Sequence, residues 1–196
     1  TAQRALLENL ADGVVAPDDD ALRGALAQAE RLSGLVEDLL DLSRIDAGAA
    51  PLRLVEVPVS GLLAQAVHEA SMPPRTVQVL PTVTPPGLVV LGDPDRLAQL
   101  VSNLLDNAVR HSPSGGTVRV RARGVDAQTW CLVVSDDGPG IPAERVDRVF
   151  DRFGGGDPSG GGTGLGLAIA RWVAELHGGT VAVVPPAEGG AGAVLR

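Results

Sequence analysis

Three stretches of the chain hold residue types that could act together on a polyphosphate. The first is Asn103, Asn107 and Arg110, spaced i, i+4 and i+7. On a helix these share one side, while Leu97, Leu100, Val101, Leu104 and Ala108 share the other. Mg²⁺ takes one or two oxygens from protein and the rest from phosphate and water, so an asparagine amide oxygen suits it, and Arg110 is then placed to meet phosphate charge. Taken alone, two asparagines four apart more often line a solvated helix face. The second stretch is Ser135-Asp136-Asp137-Gly138-Pro139-Gly140-Ile141, directly after an apolar run. Its glycines let backbone approach a ligand closely, and a carboxylate there accepts from an exocyclic amine, so Asp136 would favour adenine over guanine. An ordinary Asp-Gly turn is the plainer reading of that segment. The third is Gly160-Gly161-Gly162-Thr163-Gly164-Leu165-Gly166-Leu167, a glycine-rich loop that stops where helical periodicity starts. Free N–H groups and the positive end of a helix dipole there make an anion site that needs no lysine. Phe150-Asp151-Arg152-Phe153 and Gly154 to Gly162 read as a hinge and a lid.

The elements that must position these residues follow from periodicity. Asp93-Pro94 caps and opens a helix running to about His111. Ser60 to Ala70, Pro142 to Val149 and Gly164 to His177 read as further helices. Thr76–Leu80, Leu88–Leu91, Thr117–Arg123, Trp130–Ser135, Thr180–Val184 and Ala193–Leu195 read as strands. Hairpins and helices mix without strict βαβ alternation, so the expected fold class is an α/β sandwich, a mixed β-sheet covered by α-helices. Before it, Ala2 to Val15 and Ala21 to Asp46 read as an α-helical hairpin broken at Pro17-Asp18-Asp19-Asp20. The second helix is apolar on two faces, with Leu22, Ala25, Ala29, Leu32, Val36, Leu39 on one and Leu35, Leu42 beside it, so two hairpins from two chains would complete a four-helix bundle. A plain helical hairpin is the alternative. Ala47-Gly48-Ala49-Ala50-Pro51 marks the boundary, giving a hairpin over residues 1–50 and a second domain over 51–196.

Composition removes several classes of function. The 196 residues carry 16 basic and 24 acidic side chains, a net −8, with no basic cluster, so neither nucleic acid nor an anionic membrane surface is an expected partner. Every one of the 16 basic residues is arginine. Without lysine, neither a P-loop nor a eukaryotic-type protein kinase site can be built. The single cysteine, Cys131, lies in an apolar run and allows no disulfide or cysteine-based metal site. No apolar stretch approaches the ~20 residues of a membrane helix, so these residues are expected to be soluble and without direct membrane contact.

In this order, Asn103-Leu104-Leu105-Asp106-Asn107-Ala108, Asp136-Asp137-Gly138-Pro139-Gly140-Ile141, Val149-Phe150-Asp151-Arg152-Phe153 and Gly162-Thr163-Gly164-Leu165-Gly166-Leu167 closely resemble the N, G1, F and G2 boxes of sensor histidine kinases. Arg31-Leu32 and Leu39-Leu40-Asp41-Leu42-Ser43-Arg44 extend the resemblance into the end of a dimerisation hairpin. The resemblance implies a nucleotide domain of the gyrase, heat-shock-90, histidine kinase and MutL superfamily that binds ATP with Mg²⁺. Asn107, with Asn103, would hold Mg²⁺. Asp136 would read adenine, Gly138, Gly140 and Ile141 would line the base pocket with His111 beside it, and Gly164 and Gly166 would contact phosphate within the loop Gly162, Thr163, Gly164, Leu165, Gly166, Leu167. It further implies a homodimeric, cytoplasmic kinase that passes the γ-phosphoryl to a histidine and thence to the aspartate of a response regulator receiver domain.

Two departures from the family pattern bear on activity. The His-Glu-x-x-x-Pro acceptor segment of the family belongs just upstream of Thr1, so this stretch is not expected to autophosphorylate by itself. His68-Glu69-Ala70-Ser71-Met72-Pro73 has the same spacing but lies on the first helix of the second domain, and His177 reads as a helix-end residue favoured by the dipole. The lid is short and holds no basic residue, leaving Arg110 and Arg152 as the cationic contacts to phosphate. An anti-sigma-factor type serine kinase, which typically lacks the hairpin, and a non-enzymatic nucleotide-gated scaffold are the rival readings.

Overall fold

The computed structural model describes residues 22–26, 29, 52–71, 76–152, 154 and 164–183, and 191–195 as backbone. The chain forms two compact units, Thr1–Ala47 and Gly48–Arg196. In the first, the described residues 22–26 and 29 are helical, and Leu22 and Leu26 are 52% and 59% exposed. The rest of the hairpin reading lies outside the described residues.

The second unit runs β1 (Val55–Pro58), α1 (Val59–Ala70), β2 (Gln78–Thr84), β3 (Val89–Gly92), α2 (Pro94–His111), β4 (Thr117–Gly124) and β5 (Trp130–Asp136). A single 3₁₀ turn at Ala143–Arg145, α3 (Gly166–Leu176), β6 (Thr180–Val183) and β7 (Ala191–Leu195) follow. Five strands form one sheet in the order β2-β4-β5-β7-β6, with β2 and β4 parallel and the other neighbours antiparallel. β1 and β3 make a separate antiparallel pair. The fold is thus a mixed sheet with helices packed on it, an α/β sandwich.

Strict alternation in β4 decides which face the helices cover. Val118, Val120 and Ala122 are buried, whereas Arg119, Arg121 and Arg123 between them are exposed. Leu132 and Val134 of β5 join the buried face, against Leu97, Leu100, Val101, Leu104 and Leu105 of α2 and Ile169, Ala170 and Val173 of α3. Each such leucine contributes about 1.5–3 kcal/mol by leaving water, and the packing holds α2 with its polar edge turned away from the sheet.

Several boundaries differ from the sequence expectation. β1 arises in what reads as linker, because a four-residue strand is specified only by its partner β3. β2 extends to Thr84 through Pro81, which has no N–H to lend a ladder and is tolerated because β2 is an edge strand. The expected helix over Pro142 to Val149 is a chain of i→i+3 turns instead, Arg145 N–H to Pro142 O (2.8 Å), Arg148 N–H to Arg145 O (3.0 Å) and Asp151 N–H to Arg148 O (2.9 Å). α3 starts at Gly166 because Gly164 has φ +72°, outside the helical region.

Asp93 caps α2. Its Oδ1 accepts from the N–H groups of Asp95 (3.1 Å) and Arg96 (3.2 Å), and its Oδ2 accepts from Arg53 N–H at 2.9 Å. Burial pushes the carboxyl pKa up, but the N–H groups of Arg53, Arg96 and Asp95 and the charge of Arg53 outweigh it, leaving the value below the ordinary 3.8. A depressed folded pKa gives stability that is present above 3.8 and is lost as pH falls from there through the folded value. Asp93→Ala should therefore cost about 1–2 kcal/mol at pH 7, and the gap to the parent should narrow at pH 3. Urea midpoints at the two pH values test this, and a gap independent of pH would contradict it.

Candidate functional site

The site is built along one edge of α2. Buried Leu104, Leu105, Ala108 and Val109 pin the helix to the core, so Asn103 and Asn107 fall on its partly exposed side, with Arg110 and His111 exposed at its C-terminal end. From Asn103 to His111 the edge is about 12 Å long, comparable to an extended nucleotide.

At the Asn103 end it meets the start of α3. A Cβ on Gly166 would lie 2.9 Å from Asn103 Oδ1 and 3.6 Å from its Cγ, so only a glycine lets the two approach undisturbed. Leu165 and Leu167 are buried, which turns their side chains into the core and leaves only their backbone to face a ligand. Leu165 is the N-cap of α3 and offers no side-chain cap; the first turn of a helix is where an anion meets backbone N–H groups. Gly162 and Thr163, Phe153 and the lid residues 155–163 lie outside the described residues.

At the His111 end α2 meets the tip of β5. Asp136 Oδ1 accepts from Gly138 N–H at 2.8 Å. A Cβ on Gly138 would stand 2.5 Å from that oxygen and 2.6 Å from the carbonyl oxygen of His111. Gly140 has φ +75°, and Ile141 packs partly buried against the core. Asp137 turns the other way, accepting from Thr117 N–H (2.9 Å) and pairing with Arg119 (2.9 Å). The Arg119 side-chain bond, then the Thr117 N–H, hold its carboxyl below the usual carboxylate range. Of two adjacent aspartates with equal standing in the sequence, Asp137 therefore locks the β4–β5 ladder and Asp136 is the one facing α2. Arg152 is exposed on the turn after buried Val149 and Phe150.

Gly138→Ala should cost about 1–3 kcal/mol, since either the Asp136 carboxylate or the His111 backbone must move. Gly61→Ala, on α1 with nothing within 4 Å of the new methyl, should instead stabilise by about 0.5–1 kcal/mol through helix propensity. Chemical denaturation of the two variants tests the contrast, and equal effects would refute it.

His177 stands at the C-terminal end of α3, as the sequence suggests, but its ring serves a distant partner rather than the helix dipole. It is buried, its Nε2 accepts from Asp93 N–H at 3.1 Å, and its Nδ1 lies 2.8 Å from Val173 O. Since Nε2 is an acceptor, the ring proton sits on Nδ1 and is donated to that carbonyl. No local pattern announced this contact, because Asp93 and His177 are 84 residues apart. His68 is exposed on α1, in the second unit.

The family described as histidine kinase-, DNA gyrase B-, and HSP90-like ATPase matches residues 92–196, a span that contains every residue of this site. The probable sensor histidine kinase TcrY of Mycobacterium tuberculosis is 41% identical over 167 residues, covering 83% of this chain and 35% of that protein, so the chain spans about a third of that relative's length. Among solved structures, the mycobacterial sensor histidine kinase MprB superposes with a TM-score of 0.62 at 36% identity, over 72% of this chain and 96% of that one. Full-length ShkA in complex with AMPPNP gives a TM-score of 0.72 at 31% identity, over 97% of this chain and 40% of that one.

Proposed function

The chain belongs to the histidine kinase-, DNA gyrase B- and HSP90-like ATPase family, as the ATP-binding catalytic region of a sensor histidine kinase, and on that footing we propose that it holds Mg²⁺·ATP along the α2 edge for transfer of the γ-phosphoryl to a histidine. The observation that carries the reading is the placement of Asp136, whose Oδ1 is occupied by Gly138 N–H while its neighbour Asp137 is consumed by Thr117 and Arg119. Asp136 would accept the exocyclic amine of adenine through its second oxygen, with Gly138, Gly140, Ile141 and His111 around the base. At the other end Gly162 to Leu167 would offer backbone N–H groups to the phosphates, and Arg110 and Arg152 would meet their charge.

A divalent cation would be held by the amide oxygens of Asn103 and Asn107, a donor set that fits Mg²⁺, which completes its shell with phosphate and water. When bound, it would neutralise charge developing on the transferred phosphoryl group. The protein's own part is positioning: Asp136 orients the base, and the first turn of α3 and Arg110 hold the phosphates in line with an incoming histidine nitrogen. Leu22, more than half exposed, belongs to the stripe that the hairpin of a second copy would cover. The parent would thus act as a homodimer on the cytoplasmic side and pass the phosphoryl to a response-regulator aspartate. Among the described residues no helix is long and apolar enough to cross a membrane.

The test is incubation with γ-labelled ATP, Mg²⁺ and a dimerisation hairpin carrying the acceptor histidine. An acid-labile, base-stable label on the hairpin is the expected result. An acid-stable label would indicate a serine kinase, and tight nucleotide binding with no label would indicate a scaffold.

A further inference from the structure

α2 and α3 pack side by side, with Arg96 of α2 over the Trp172 ring of α3 at 5.0 Å, and two contacts mark the ends of their shared span. Near the middle of α2, Asn103 lies against Gly166, the first residue of α3. At the N-terminus of α2, Asp93 N–H donates to His177 Nε2 at 3.1 Å, and His177 is the C-cap of α3. The two contacts are ten residues apart on α2 and eleven on α3, about 15–16 Å on either helix. The helices are therefore antiparallel and tied at both ends of one shared span. Gly92 makes room for the far tie, since a Cβ there would stand 2.6 Å from Leu97 Cδ1 and 3.4 Å from His177 Nε2. The same aspartate also receives Arg53 N–H at 2.9 Å, so the segment leading into β1 is fastened to this point as well.

We propose that Asp93 and His177 act as a positioning clamp that fixes the axial register of α3 against α2, and thereby the placement of the phosphate-facing first turn of α3 relative to Asn103 and Asn107. The inference rests on the proposed nucleotide site. A slip of one residue along a helix is about 1.5 Å, well beyond the ~0.5 Å within which a preorganised site keeps its geometry. The base end of the site depends on a different junction, Asp136 and Gly138 of the β5 tip with the His111 carbonyl, and contains no residue of α3. Loss of the clamp should thus weaken what holds phosphate and spare what holds adenine.

His177→Leu keeps bulk and removes both hydrogen bonds, and His177→Gln restores an acceptor for Asp93 N–H. The expected result is a fall of about tenfold or more in affinity for Mg²⁺·ATP in His177→Leu, with affinity for adenosine unchanged within about twofold and most of the loss recovered in His177→Gln. A lowered thermal midpoint alone, or an equal fall for both ligands, would overturn the clamp. Hydrogen exchange without nucleotide supplies an independent arm. The amide of Ile169, bonded to Leu165 O at 2.9 Å, should exchange faster in His177→Leu while β4–β5 amides do not change. Should the unmodified chain bind no nucleotide, the proposed function fails, and the exchange pattern still decides the clamp, with unchanged or uniformly raised exchange counting against it.

Discussion

Asp136→Asn lowers affinity for Mg²⁺·ATP by about ten- to a hundredfold, the 1.5–3 kcal/mol of a hydrogen bond to a charged group, and narrows the preference over Mg²⁺·GTP. The reasoning starts from the bond already in place. Asp136 Oδ1 is engaged by Gly138 N–H at 2.8 Å, and that bond sets the orientation of the carboxylate. In Asp136→Asn the remaining oxygen stays with Gly138 N–H, and the new amide NH₂ faces the ligand. A donor then opposes the donor amine of adenine, whereas the carbonyl oxygen of guanine would find a partner. Asp137→Asn is the control: its carboxylate serves Thr117 and Arg119 on an exposed surface, and nucleotide affinity should hold within about twofold. Calorimetric titration of both variants with both nucleotides decides the matter. Equal losses in the two variants would remove Asp136 from the base site.

The second large effect is expected at Asn107. Asn107→Ala deletes an amide oxygen from the partly exposed edge of α2 while buried Leu104 and Ala108 keep the helix in place, so the fold should survive and the magnesium-dependent part of binding should not. We expect Mg²⁺·ATP to bind about ten- to a hundredfold more weakly, with phosphoryl transfer falling by about 10²-fold or more because charge neutralisation is lost in the transition state. In EDTA the unmodified chain and Asn107→Ala should bind ATP alike. A difference that persists without magnesium would mean that Asn107 touches the nucleotide itself. Asn103→Ala should show a weaker magnesium effect together with some loss of stability, since Asn103 also packs on Gly166.

Much of the site was legible because it is carried by short-range patterns. The spacing of Asn103, Asn107 and Arg110 sets one helix edge whatever that helix packs against, and Asp93-Pro94 opens the helix through a cap that needs only Asp95 and Arg96. The glycines at 138 and 166 also stood out locally, although what they make room for did not. One is pressed between Asp136 and the His111 carbonyl, the other against Asn103, and those neighbours come from other elements.

What escaped the sequence was each feature that depends on a distant partner. The helix expected over Pro142 to Val149 gave way to successive i→i+3 turns, and β1 exists only because Val57 and Val90 pair across it. His177 reads locally as a helix-end residue but is a buried strut on Asp93. The sequence by itself determined the nucleotide boxes, the absence of lysine that rules out a P-loop, and the α/β class, since all three rest on residue identity and on periods of two or 3.6. Only the tertiary structure decided which of Asp136 and Asp137 faces α2, and how α2 and α3 are held in register. Those choices turn on hydrogen bonds such as Arg119 to Asp137 and Asp93 to His177, whose partners meet only once the chain has closed on itself.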